Sequence, residues 1–205
     1  MSKLFSSISL VVFVLFISNP GVLLAEKRNP VPRNSIQKLL GEIKQIKFAE
    51  DLPARLVKDN RSHSQNALEL LNMAEISKKA LGKHWKKITR QEQKQFQTLL
   101  GELFVHVAFP SSAKFFAELD LVYGETREDK QAVVVPLTVV HDKEGEVDID
   151  FKLTQSGDKW QVVDVILDGV SMRNNLRSQF YKIIKRKNFN ELIRKMEKKL
   201  TSARS

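Results

Sequence analysis

The sequence predicts an α+β domain in which helices pack on one face of an antiparallel sheet of about four strands. Apolar residues follow helical spacing through the first half of the chain, alternate as in strands between Leu121 and Leu167, and return to helical spacing after Ser171. The links between the predicted strands are short, which suits antiparallel neighbours and a meander. One stretch joins the two regimes: the chain leaves its last strand through Asp168-Gly169 and enters a helix at Ser171.

Taken in order, residues 1–25 have a positive start at Lys3, an apolar run from Ile8 to Ile17, a Pro20-Gly21 break and Ala25, the layout of a secretory signal peptide. The run is shorter than the ~20 apolar residues that a membrane span needs. Cleavage near Ala25 leaves residues 26–205 as a single domain, a length that suits one core. The expected mature protein is soluble and exported. Glu26 to Arg33, with Pro30 and Pro32, reads as an extended lead-in, and from Ser35 the positions Ile36, Leu39, Leu40, Ile43 and Ile46 define an amphipathic helix. Asp59 to Gln65 is polar throughout and reads as a loop.

Asn72 followed by Glu75 has the spacing of a helix start, and Gly82 falls where that short helix ends. Thr89 and Glu92 form a capping box, behind which Phe96, Leu99, Leu100, Leu103, Phe104 and Val107 make a wide apolar stripe. Pro110 should bend or end that helix, with Ser112 to Leu119 as a further helical piece. Four strands follow, over 121–127, 132–141, 147–154 and 160–167. The third alternates Val147, Ile149, Phe151 and Leu153 with polar residues, giving one dry face and one wet face. The second, AVVVPLTVV, is apolar on both faces, so part of its back must be covered or border a cavity. Gly169 is free to take a positive φ in the turn, and the Ser171 hydroxyl can cap the helix that carries Leu176, Phe180, Ile183 and Ile184. A last helix carries Leu192, Ile193, Met196 and Leu200.

The strand Trp160-x-Val-x-Asp-Val, the turn Asp168-Gly-Val-Ser and the helix containing Arg177-Ser-Gln-Phe resemble the MlaC (toluene-tolerance) family of periplasmic phospholipid carriers. The resemblance extends upstream through ALGKHWKKITRQEQKQFQTLLGELF and downstream from Asn188 to Leu200, covering most of the chain beyond about residue 70. It implies an NTF2-like fold, a curved sheet with helices on its concave face, holding acyl chains. Phospholipid would be the cargo, with no cofactor. The implied partners are an outer-membrane lipoprotein complex and an inner-membrane ABC transporter with an MCE subunit, served by a monomer in the periplasm. A hopanoid-associated branch of the family would keep the fold and change the cargo. Trp160 and Val162 share a strand face, and Leu176 and Phe180 share a helix face. If the turn folds that helix back over the sheet, these pairs meet, and Leu100, Phe104 and Phe151 close the remaining sides; these seven are the expected lipid-binding residues.

The composition bounds the other functions. There are no cysteines, so disulfides, thiol catalysis and cysteine-ligated metal are excluded. The formal charge is +10, falling to +9 when residues 1–25 remove Lys3, so the surface should attract anionic headgroups or acidic protein faces. Export argues against nucleic acid. His63, His84, His106 and His141 lack ligand spacing, and His84 reads as a surface or partner residue in GKHWKK. Asp142, Glu144, Glu146, Asp148 and Asp150 share one side of a hairpin without the glycine-containing loop of a calcium site, and read as a solvated face. Asp164, a carboxylate within an apolar strand, is the strongest candidate for a general base on an NTF2-like scaffold. With no second carboxylate or tyrosine identifiable as its partner, the favoured reading is an aspartate bonded to backbone or to a neighbouring arginine. No catalytic or metal site is expected.

Overall fold

The computed structural model describes residues 31–47, 52–117, 119–141 and 145–204. The expected signal peptide, most of the lead-in, and Asp142 and Glu144 lie outside these residues. The elements run α1 (Pro32–Gln45), α2 (Ala54–Glu69), α3 (Met73–Leu81), a 3₁₀ segment (Gly82–Lys87), α4 (Arg90–Leu103), a π-helical segment (Phe104–Ala108) and α5 (Phe109–Phe116). After them come β1 (Leu121–Tyr123), β2 (Arg127–Asp129), β3 (Ala132–His141), β4 (Gly145–Ser156), β5 (Lys159–Leu167), β6 (Val170–Ser171), α6 (Met172–Arg186) and α7 (Phe189–Arg204).

The sheet is antiparallel, in the order β1-β3-β4-β5-β6, with β2 also paired to β3. It has six strands where about four were expected, for two local reasons. The predicted strand 121–127 is split, because β1 and β2 lie along the same edge of β3 with Gly124 between them. Gly124 faces Pro136, donating its N–H to the Pro136 carbonyl at 3.0 Å. Proline has no N–H to return, so the edge ladder lapses where it would be needed. The sixth strand, β6, is a two-residue extension beyond the Asp168-Gly169 turn.

Two other expectations are corrected. Residues 59–65 are helical, inside α2, which buries only Ser64 and Ala67 and so shows no large apolar stripe. Its ties are polar: His63 lies 2.7 Å from the Glu42 carboxylate, and the Asn60 side chain both accepts from Lys47 N–H and donates to Lys47 C=O. The first helix also starts earlier than Ser35, with Pro32 in its first turn, where a missing N–H costs nothing. Its buried residues are Ile36, Leu39, Leu40 and Ile43, the positions that the spacing predicts.

The long helical run through Pro110 is interrupted as expected, by a change of winding. A proline ring clashes with the carbonyl four residues back, here that of His106. The π turn relieves this, since Phe109 N–H reaches back five residues to the Phe104 carbonyl. Thr89 and Glu92 form both bonds of the capping box, and Asn72 accepts from Glu75 N–H to start α3.

The core lies between one sheet face and the helices. Val135, Leu137 and Val139 of β3 and Ile149, Phe151 and Leu153 of β4 join Ile36 and Leu40 of α1 and Phe96 of α4 in one cluster. The back of β3 is covered in part, as its apolar pattern requires: Val134 is 5% exposed beneath the ion pairs Arg127–Asp150 and Lys152–Asp129, whose stems shield it. Val140, beyond those pairs, remains 49% exposed.

Candidate functional site

The site is a cavity of about 680 Å³ bounded by β5, α6, α7, α3 and the π-helical end of α4. Its geometry begins at the joint between β5 and α6. Asp168 (φ 44°) and Gly169 (φ 78°) turn the chain in left-handed conformations. Asp168 also ties the turn to β4, accepting from Asp148 N–H at 3.1 Å and donating its own N–H to the Asp148 carbonyl at 2.9 Å. Ser171 then caps α6, its hydroxyl oxygen accepting from Asn174 N–H at 3.1 Å. The helix therefore returns against β5 and α3 rather than running away from the sheet.

A bulge in β5 shapes the wall. Lys152 pairs with Asp164 and Leu153 with Val162, leaving Val163 unmatched, and such an extra residue bends the strand. Val162, Val163 and Val165 all border the cavity as a result. The strand is further fixed by a parallel bridge to Leu71 at the start of α3: Val162 N–H bonds the Leu70 carbonyl and Asn72 N–H bonds the Val162 carbonyl, each at 2.9 Å. Leu71 thereby becomes floor.

Burial separates floor from mouth. Leu100, Val162, Phe180, Leu192 and Met196 are buried lining residues, whereas Asn175, Gln179, Lys195 and Lys199 line the cavity and are exposed. The charged residues that border it are Asp164, Arg173, Lys195 and Lys199, among the described residues. The floor is dry and the mouth carries the charge.

Of the seven residues expected from the sequence, Leu100, Phe104, Val162, Leu176 and Phe180 line this cavity. Phe151 and Trp160 do not. Phe151 faces inward as its alternation requires, between Val135 and Val165, but β4 lies behind β5 and its side chain belongs to the general core. Trp160 shares the face of Val162 but sits at the far end of β5, opposite Gln155, packed against the edge of the core. The dry face of the sheet is wider than the cavity. The contributions of Leu192 and Met196 were not anticipated, although their helical stripe was visible; that α7 packs beside α6 is a long-range fact.

The Asp164 carboxylate, 6% exposed, is fully engaged. Its Oδ1 accepts from Arg173 N–H at 3.1 Å, and its Oδ2 takes the Ser171 hydroxyl at 2.6 Å and faces the Arg173 guanidinium at 3.4 Å. This is the backbone-and-arginine arrangement, in which each oxygen has a partner. His106 lies 3.4 Å from Glu102, and among the described residues no three His, Cys, Asp or Glu side chains are grouped to share an ion. On the hairpin, Asp148 accepts from Thr138 and Asp150 pairs with Arg127, while Glu146 is exposed.

A second surface lies where α3 and the 3₁₀ segment meet α6. Tyr181 accepts from Lys83 N–H at 3.0 Å, its ring meets His84 edge-on at 4.7 Å, and Arg177 donates to the Lys79 carbonyl. Gly82 has φ 48°, and a Cβ there would stand 2.4 Å from the Tyr181 oxygen, so the close docking requires glycine. Lys83, Lys86 and Lys87 remain exposed on this face. Burial first, then the Lys83 and Lys87 charges, hold His84 below its ordinary pKa, so lysines supply the positive charge at neutral pH.

A family model described as MlaC protein matches residues 33–198. Among solved structures, the chain is similar to a phospholipid-binding protein from Ralstonia solanacearum in complex with a phospholipid, at 20% identity and a TM-score of 0.64 over 84% of this chain and 96% of that one. No curated protein sequence matches the chain. At this identity the likeness speaks for the fold, an NTF2-like antiparallel sheet with helices packed on it.

Proposed function

The chain belongs to the MlaC family, and from that membership together with the cavity we propose that it is a lipid-binding carrier rather than an enzyme. The observation that carries this reading is the division of the cavity into a buried apolar floor and a charged, exposed mouth. Each methylene moved out of water contributes about 0.8 kcal/mol, so tails can be held by shape and dryness with little polar chemistry. If a methylene takes the ~30 Å³ of a liquid water, 680 Å³ houses about twenty, more than one long acyl chain. The lining residues Leu100, Phe104, Val162, Leu176 and Phe180 hold tails, and the headgroup stays at the mouth. Residues 1–25 act as a signal peptide and 26–205 as one lipid-binding domain, monomeric in the periplasm. The carrier moves phospholipid between an outer-membrane lipoprotein complex and an inner-membrane ABC transporter with an MCE subunit, maintaining outer-membrane asymmetry.

The test is organic extraction of protein purified without detergent, followed by mass spectrometry. About one phospholipid per chain is expected; a hopanoid in its place would move the protein to the other branch of the family. Protein that carries no lipid and takes none from vesicles would end the carrier reading.

The basic face around Lys83, His84, Lys86 and Lys87 should act as an electrostatic guide toward anionic membranes or acidic partners. Exposed charges are screened over about 8 Å at 0.15 M salt, so raising salt should slow association while leaving dissociation nearly unchanged. Charge reversal at Lys86 and Lys87 should act in the same way. Association rates that ignore both changes would reduce this face to a solubility feature.

A further inference from the structure

Resting on the carrier reading, we propose that the cavity mouth favours lipids with anionic headgroups through Lys195 and Lys199 of α7. Four charged side chains border the cavity, and two of them, Arg173 and Asp164, face each other at 3.4 Å. Lys195 and Lys199 stand one turn apart, so they project from the same side of the helix, and both are exposed. The acids nearby are engaged or turned away. Glu191, one turn before Lys195, is held by two bonds from Arg194, at 2.8 and 2.7 Å, and Lys195 adds only a lesser influence on that carboxylate. Glu197 lies on the opposite side of α7, in the groove that this helix forms with α4.

Across the mouth α6 presents Asn175 and Gln179, which are neutral. A headgroup seated there meets two lysine charges and polar amides, with no free carboxylate among the described residues. Every phospholipid brings a phosphate that such lysines attract. A zwitterionic headgroup also brings an ammonium into the same positive field, whereas a glycerol headgroup does not. The mouth therefore discriminates by repelling the second charge as well as attracting the first.

The experiment incubates the protein with vesicles of equal phosphatidylglycerol and phosphatidylethanolamine, re-isolates it, and measures both total lipid per chain and the ratio of the two lipids. Exposed ion pairs are individually weak, so an enrichment of phosphatidylglycerol of about fivefold is expected, shrinking as salt is raised. The double variant Lys195→Glu, Lys199→Glu should carry the same total lipid with the enrichment lost or reversed. Lys58→Glu, exposed on α2 and outside the cavity lining, should behave as wild type. Millimolar inorganic phosphate should leave the ratio unchanged if the tails deliver the headgroup to this site; loss of enrichment in phosphate would show a free-anion site and overturn the proposal. Full lipid loading at the vesicle ratio in both proteins would overturn the headgroup preference and leave the carrier reading standing. Absence of lipid from the wild-type protein would remove both.

Discussion

Leu176→Asp should give a folded protein that purifies with at least about fivefold less phospholipid than wild type, the loss expected when a carboxylate is placed where tails lie and costs 1–3 kcal/mol or more. Leu176 lines the cavity from α6 and is only partly buried, so an aspartate there can remain hydrated without opening the core. Phe180, one turn later, is a poorer probe. It is 7% exposed and its ring meets Phe96 edge-on at 5.5 Å, so it is core and cavity wall at once. Phe180→Asp should unfold the protein, since losing an aromatic core side chain alone costs about 3–5 kcal/mol. Ala at Arg186 or Lys187, exposed at the end of α6, should keep the lipid. The measurements are extracted lipid per chain and a thermal or urea melt on the same sample. A Leu176→Asp protein that melts like wild type and keeps full occupancy would make this wall ordinary core.

The different fates of Leu176 and Phe180 illustrate what local sequence could and could not convey. The β5–turn–α6 joint was legible because its signals are adjacent: a β-rich run, a glycine at positive φ and a capping serine within a dozen residues. The capping box at Thr89 was legible for the same reason. By contrast α2 buries Ser64 and Ala67, small residues that leave no period to detect, and its anchoring to Glu42 and Lys47 is visible only once α1 is beside it. The gap between β1 and β2 is set opposite Pro136, on another strand. Periodicity located the dry face of the sheet, yet Phe151 and Val162 share that face and only Val162 borders the cavity, because which part is left unfilled depends on where α6 and α7 come to rest.

Replacement of Asp164 should have the largest effect on stability at the joint, and it separates the structural role from a catalytic one. Asp164→Ala removes the acceptor of the Ser171 hydroxyl and of Arg173 N–H, and leaves the guanidinium of Arg173 largely buried without its counter-charge. Breaking one partner of such a pair costs about 3–5 kcal/mol, mostly as the penalty on the group left behind. Asp164→Asn keeps one oxygen for the Arg173 N–H and should cost less. It should also carry a full complement of lipid, because the cavity floor is untouched; an Asn variant as stable as wild type but inactive in a defined reaction would restore the catalytic alternative. Adding Arg173→Met to Asp164→Ala should recover part of the loss, since neither charge is then left bare, and the two effects should depart from additivity as contacting residues do. If Asp164→Ala costs under about 1 kcal/mol in a urea melt, the buried pair contributes no more than a surface ion pair would. The packing of Leu176 and Phe180 against β5 would then have to be what holds α6 over the cavity.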